Sequence, residues 1–454
     1  MTAATMLVPT ILFWVLVAIF LCVPPRYAVL IFILIAQLDL TGVAFYSDVS
    51  LGWENTLKVI VIPAILLLRV RPIDLLPTAF RFARNAWVCL VAYAALAIAW
   101  SPYRLSGVKL IGYFYSYSVL FVVFCCAWRR HWITRGWLIG LVSVSLCFAG
   151  FQTYVLGNAY GDPEYGNRFT TFADAQSFAP FLICLIILLV ICNRRTVGSL
   201  MVAIAAVFGL VLTGSRSSLI GFAWVALIIG IALAKQANRQ LRLSILVRNI
   251  AIGCLIFAFL GLLVLNELPQ SRMNELVEIV TSYDNHSLES VETFAWRLTV
   301  YAEAVKDLSN RGWRGLAIGS GTSSGALVGL QTGYFTEANV DPNRVIHDEF
   351  LRSLYEWGIV GLLTFLFFLA ALLRLCLRMI KLTSSPYAWA CIAAFGPLVI
   401  GLLIENIFAD GASPGGVAYC LLFASLVAQL RPAIAKAKAS ASQPVNLLPQ
   451  EAQG

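Results

Sequence analysis

Charge is scarce in this sequence, and histidine is scarcer. Only 12% of the 454 residues are Asp, Glu, Lys or Arg and three are histidine, against 60% hydrophobic residues. A soluble domain carries roughly twice that charge fraction, so a soluble globular chain is excluded. The eleven cysteines include no CxxC pair. A zinc ribbon or disulfide framework is therefore not indicated, and the cysteines read as small buried hydrophobes. Ten-residue stretches of period-two alternation are missing, which excludes an outer-membrane barrel. No basic stripe is interleaved with exposed aromatics, so the net charge of +9 does not point to nucleic acid.

What the chain has instead is a series of apolar runs. They occupy 6–23, 27–40, 56–69, 86–100, 108–128, 133–156, 172–192, 197–212, 215–234, 247–265, 350–373, 387–407 and 412–430. This predicts an all-α, polytopic integral membrane protein of about 12 or 13 transmembrane helices. The first run lacks a charged n-region and is followed by Pro24-Pro25, so it reads as a retained span rather than a signal peptide.

Lys and Arg cluster in alternate loops: Arg69 to Arg84, Arg129 to Arg135, Arg194-Arg195, Lys235 to Arg248, Arg374 to Lys381, and Arg431 to Lys438. Loops rich in these residues stay in the cytoplasm. The expected organisation is then N-terminal transmembrane helices at 1–265, a large periplasmic loop at 266–347, C-terminal transmembrane helices at 348–430, and a disordered cytoplasmic tail at 431–454. Within the loop, Phe294, Leu298, Tyr301, Val305 and Leu308 recur at helical spacing and predict an amphipathic helix. Gly315, Gly319, Gly321 and Gly325 predict a turned loop after it.

His347 closes that polar segment and opens an apolar run, at a boundary between water and membrane. Its unperturbed pKa near 6.5 suits proton transfer, and Arg344 and Asp348 stand close in sequence. At 100° per residue His347, Leu354, Gly358 and Gly361 fall on one helical stripe, and the two glycines leave room for a neighbouring helix or a ligand beneath the imidazole. A metal site from His347, Asp348 and Asp341 would lack a second histidine, and no metal is expected. Arg216 follows Thr213-Gly214-Ser215 at the start of an apolar run on the outer side. Two readings stand for it. Helix N–H groups, serine hydroxyls and a guanidinium could form an anion site, or Arg216 could snorkel while Ser215 caps the helix. Arg297, Arg314 and Arg168 add outward guanidinium groups of the kind that grip phosphate in a bidentate way.

These residues resemble a known family. His347-Asp348, nine residues, then Gly358-Ile359-Val360-Gly361 resembles the signature of bacterial O-antigen ligases. Leu212-Thr213-Gly214-Ser215-Arg216 resembles their Thr-Gly-Ser-Arg helix start, and Trp296-Arg297-Leu298 with Gly319-Ser320-Gly321 their loop arginine and glycine turn. Arg168-Phe169 ahead of Phe172 and Gln176 is similar to a weaker upstream element. The superfamily includes O-antigen and exopolysaccharide polymerases. The resemblance implies a GT-C-like glycosyltransferase of the inner membrane, active at the periplasmic face. It would pass a glycan from undecaprenyl diphosphate to an acceptor hydroxyl, on lipid A-core or on another glycan, with inversion and with no metal or other cofactor. It also implies His347 as general base or as the residue that orients the acceptor, with Arg216 and Arg297 on the diphosphate. Asp348 departs from the Asn, Ser or Gln usual in ligases, which favours a polymerase by comparison. A polysaccharide transporter or flippase is the competing class. It calls for ionisable residues inside the spans, and these spans read as nearly free of charge apart from Glu405.

Overall fold

The computed structural model describes residues 3–38, 54, 56–71, 80–156, 169–172, 175–191, 197–236, 292–333, 336, 345–383, 386–404 and 411–441. Arg168, Asp341, Arg344, Glu405 and the apolar run at 247–265 lie outside them, as does the side chain of Arg216, whose backbone opens a helix. The protein is an all-α membrane protein, with no strand among the described residues.

A helical hairpin comes first, α1 (Ala3–Cys22) and α2 (Pro25–Ala36), turned by Pro24-Pro25 with the second proline in the first helical turn, where its missing N–H costs nothing. A π-turn at Leu57–Val61 leads into α3 (Ile62–Val70). Next are α4 (Arg81–Leu96), a 3₁₀ turn (Ala97–Trp100), α5 (Arg104–Arg129) and α6 (Arg135–Gly150), which closes in a second π-turn at Phe151–Val155. The middle of the chain forms α7 (Ala175–Ile191), α8 (Val197–Leu212) and α9 (Arg216–Gln236). After the polar segment's α10 (Glu292–Asn310), α11 (Gly312–Ile318) and α12 (Ala326–Thr332), the chain ends in α13 (Glu349–Thr383), α14 (Pro386–Ile404) and α15 (Pro414–Ala441).

Two helices form the centre of the bundle. Every residue of α7 from Phe181 to Leu189 is buried, and α15 is buried on nearly all sides from Pro414 to Leu430. A helix apolar all round belongs in a core, and α15 packs against α5, α7 and α14. The outer helices turn Leu68, Leu200, Met201, Ile220 and Leu363 outward, as a lipid-facing surface requires.

Side-chain pairs fix the direction of the helices. Tyr117 meets Ser413 at 3.3 Å and Cys125 reaches the Ala424 carbonyl at 3.8 Å, so α5 and α15 run parallel. Gly221 lies against Pro397, and Trp224 Nε1 donates to the Ile392 carbonyl at 3.2 Å, so α9 and α14 run antiparallel. One end of the bundle thus gathers Ser101, Phe169, Ser215, the N-terminus of α9 and residues 345–349. The other gathers Arg69, Arg71, Arg81, Arg84, Arg129, Arg130, Arg374, Arg378 and Lys381. Arg69 there donates to the Phe20 and Val23 carbonyls that end α1, and Arg130 to those of Val70 and Arg71, each cation closing a helix C-terminus.

Two expectations need correcting. The chain is helical to Ala441, eleven residues into the stretch read as a disordered tail, because Ala and Lys are strong helix formers; residues 442–454 lie outside the described ones. On α10 the buried stripe is Val300, Ala304 and Leu308, whereas Leu298 and Val305 are exposed. Both stripes obey helical spacing, and packing against residues 345–346 selects the one that carries Arg297 at its start.

Candidate active site

The site is built around a break in a helix. Gly358 takes φ 65° and ψ −166° inside α13, backbone that glycine alone enters freely. The Phe350 and Phe365 rings lie 5.5 Å apart, whereas a straight helix would set them about 22 Å apart along its axis. The segment 349–357 therefore folds across the end of the membrane-crossing part. This overturns the single stripe of His347, Leu354, Gly358 and Gly361. Gly358 turns a corner, and Gly361 lies under the Trp357 side chain rather than under an imidazole.

A sharp corner frees carbonyls, and the glycine loop takes them. Ser320 N–H donates to the Tyr355 carbonyl at 3.0 Å and Gly321 N–H to that of Glu356 at 2.8 Å. Gly319 (φ 75°) and Gly321 (φ 97°) allow the approach: a Cβ on Gly319 would stand 2.5 Å from Gly358 N, and one on Gly321 2.7 Å from Ser101 N. Thr322 binds the loop's other side. Its hydroxyl donates to the Ala94 carbonyl at 2.5 Å and accepts from Trp357 Nε1 at 3.0 Å, while its carbonyl accepts from Ser101 Oγ at 2.5 Å. The loop is a wedge between the α4–α5 corner and the α13 corner.

Arg297 approaches from α10. Val300, Ala304 and Leu308 pack on Val345, Ile346 and Tyr355 in one buried cluster. Tyr301, half-buried, packs against the same cluster. Burial pushes its hydroxyl up to about 12, with the Arg297 charge opposing the shift and the Asp348 charge adding to it. The packing of Val300 and Tyr301 on Val345 and Ile346 sets α10, with Arg297 on it, alongside the segment that leads into the His347-Asp348 turn. At the far end of α10, Arg311 donates to Asp307, to Ser320 Oγ and, at 2.6 Å, to the Tyr355 hydroxyl, which itself donates to Asp307 at 2.6 Å. Burial raises the Asp307 carboxyl, but hydrogen bonds from Arg311 and Tyr355 and the Arg311 charge outweigh it and leave the group below its ordinary 3.8. Such an acid contributes stability present above its unfolded value and lost as pH falls through the folded one. The thermal midpoint of the wild type is therefore expected to drop below about pH 4. Asp307→Asn should remove part of that drop, and an unchanged acid profile would contradict the latch.

His347 is half-buried and stands outside any helix, just before Asp348. Asp348 caps α13: its Oδ1 accepts from the N–H of Phe350 (2.8 Å) and Leu351 (3.0 Å), and its carbonyl from Arg352 N–H at 2.8 Å. Burial raises the Asp348 carboxyl, partly offset by those two N–H bonds. Asn and Ser cap as well as Asp, so a capping role accounts for this residue without reference to the acceptor.

Beyond the cap lies a charged cluster. Glu349, Arg352, Ser353 and Glu356 are all buried, and Arg352 pairs with Glu349 at 2.5 Å. Glu356 Oε1 receives the Gly325 N–H at 3.4 Å, and the carboxylate also takes the Ser323 N–H. Arg352 and Glu356 fall within the run 350–373 that reads as nearly free of charge, which is a further correction. They belong to the cross-lying segment before the corner.

At the same end of the bundle, Gly214 (φ 64°) turns the chain from α8 into α9. The Ser215 carbonyl accepts the Leu219 N–H at 3.1 Å. Its hydroxyl bonds those of Ser217 (3.2 Å) and Ser218 (2.9 Å), so three buried serines cluster at the helix start. Phe169 N–H donates to the Leu212 carbonyl at 3.2 Å, which sets the upstream segment beside this turn.

The family model described as Wzy_C, O-Antigen ligase, matches residues 201–366. Residues 201–366 carry an O-antigen ligase family domain. No curated protein matches the chain. The ligase-family domain contains the serine turn, α10, the glycine wedge and the α13 corner, and so every candidate residue except Arg168. The match supports a glycan transferase of ligase or polymerase type, in a multi-pass bacterial membrane protein. Of the outward arginines, Arg314 is not drawn into the domain's site: it is exposed and lies 5.5 Å over the Trp313 ring. Arg311, three residues earlier, holds the wedge in its place. The matched segment also buries Arg352 and Glu356 and half-buries Tyr301, none of which was named as a site residue from the sequence. The spacing Glu349, Arg352, Glu356, with every member on one helical face, was the available signal.

Proposed function

We propose that this protein transfers a glycan from undecaprenyl diphosphate to an acceptor hydroxyl at the periplasmic face of the bacterial inner membrane, as an O-antigen ligase-type transferase. The observation that carries the reading is that α10, which bears Arg297, packs through Val300 and Tyr301 on the Val345-Ile346 segment that leads into the His347-Asp348 turn, at the bundle end opposite the Lys and Arg clusters. Those clusters stay in the cytoplasm by charge bias, and the His347 end then faces the periplasm, where the serine turn and the N-terminus of α9 also lie.

The chemistry needs two things of such a site. The acceptor oxygen attacks the anomeric carbon, a glycosidic C–O bond forms, and the bond from that carbon to the diphosphate oxygen breaks. His347 takes the acceptor's proton; a base placed so is worth about 10²–10⁴-fold. Negative charge gathers on the departing diphosphate, where Arg216 and Arg297 and the N–H groups of α9 offset it in a partly dry site. A single displacement inverts the anomeric centre. No metal enters this scheme, and the rate is expected to survive chelation by EDTA. Lipid A-core is the acceptor in the ligase reading. A second lipid-linked repeat would make the same chemistry a polymerase, and Asp348, as a cap, no longer favours that alternative.

The test is the lipid-linked glycan pool in cells lacking the protein. A ligase defect leaves long unattached chains on diphosphate lipid at the outer leaflet. Single repeats there would identify a polymerase, and donor retained on the inner leaflet would identify a flippase and overturn the reading.

A further inference from the structure

We propose that Glu356 is a positioning residue for the His347 site: by holding the 323–325 turn, its carboxylate fixes where His347 stands relative to Arg297. The proposal rests on the reading of His347 given above. Glu356 is wholly buried, and a carboxylate removed from water is costly unless paired and hydrogen-bonded. Where nothing but packing is needed, an apolar residue serves as well or better. Glu356 has both kinds of partner. Arg352 lies one turn before it on the same face, shared with Glu349, and the N–H groups of Ser323 and Gly325 come from the wedge.

The turn it holds is layered against the site. A Cβ placed on Gly325 would stand 3.4 Å from Glu356 Oε1 and 3.5 Å from the Ile346 side chain. Ile346 immediately precedes His347 and shares a buried cluster with Val300, which lies one turn from Arg297. Glu356, the Gly325 turn, Ile346 and α10 therefore stack in sequence. A shift of the turn moves His347 and Arg297 relative to each other without either touching Glu356. Misplacement by about 1 Å can cost 10²-fold in rate.

The experiment uses the full chain, purified into lipid vesicles, with a lipid diphosphate-linked glycan as donor, and reports turnover per folded molecule. Glu356→Gln keeps the accepting oxygen at the same reach, leaves Arg352 paired with Glu349, and is expected to turn over near the wild-type rate. Glu356→Asp keeps the charge but withdraws it from the turn by one methylene, and is expected to lose about 10²-fold in kcat with the donor KM little changed. A purely structural role would instead lower the folded fraction and leave turnover per folded molecule unchanged in both variants, which would overturn the proposal. So would Gln slow and Asp fast, because the ion pair rather than the held turn would then matter, and so would both equally slow, because an accepting oxygen at full reach would then not suffice. His347→Ala is the parallel control: if it alone is inactive, the site reading survives while the role of Glu356 falls, and if it is active the site reading itself fails.

Discussion

Replacing His347 by Ala is expected to slow glycan transfer by about 10²–10⁴-fold while leaving the fold intact. The imidazole lies one residue ahead of the α13 cap, which Asp348 forms. The backbone around it stays held by Val345 and Ile346 in the α10 cluster and by the Asp348 cap. Rate and stability should therefore separate: the thermal midpoint of His347→Ala should match the wild type while product formation from a purified lipid-linked donor collapses. Binding of that donor should persist, because the diphosphate contacts are assigned to Arg216 and Arg297. A folded His347→Ala protein transferring at the wild-type rate would remove the base from the scheme.

Gly358→Ala is expected to have the largest effect on the folded site. Its backbone lies in a region closed to residues with a Cβ, and the added atom would overlap the Ala317 carbonyl and stand 2.6 Å from Gly319 N. Relief requires the wedge to withdraw, which breaks the bonds from Ser320 and Gly321 to the Tyr355 and Glu356 carbonyls and leaves those groups buried and unmatched. Strain and lost bonds together put the cost at about 3–5 kcal/mol. Gly140 gives the comparison, since a Cβ there meets nothing within 4 Å, and mid-helix Ala in its place should be neutral or stabilising. Equal midpoints for Gly358→Ala and Gly140→Ala would contradict the corner.

Most of the bundle was legible in the sequence because the bilayer makes apolar length a direct reporter of a helix. The runs at 108–128, 133–156 and 197–212 match α5, α6 with its π-turn, and α8 to within a few residues. The serine turn was also legible, since Gly214 before Ser215 is a local stop and start. The corner at Gly358 was not. A Gly-x-x-Gly pair reads equally as a packing face and as a break, and the choice depends on N–H donors at Ser320 and Gly321, more than thirty residues away in the chain. For the same reason Arg314 and not Arg311 was singled out from the sequence, whereas the placement of Asp307 and Tyr355 engages Arg311. Arg352 and Glu356 were lost in the averaging over a hydrophobic run, although their spacing from Glu349 marks one face.

The central claim is that one end of the bundle grips a diphosphate between Arg216 and Arg297 while His347 faces the sugar. The most direct measurement is an experimental structure with a non-hydrolysable lipid diphosphate sugar bound. The account predicts phosphate density within hydrogen-bond reach of both guanidinium groups, beside the Ser215 turn, with the anomeric carbon turned towards the imidazole. Density among Arg69, Arg130 and Arg378 at the opposite end, or a diphosphate that touches neither arginine, would contradict it.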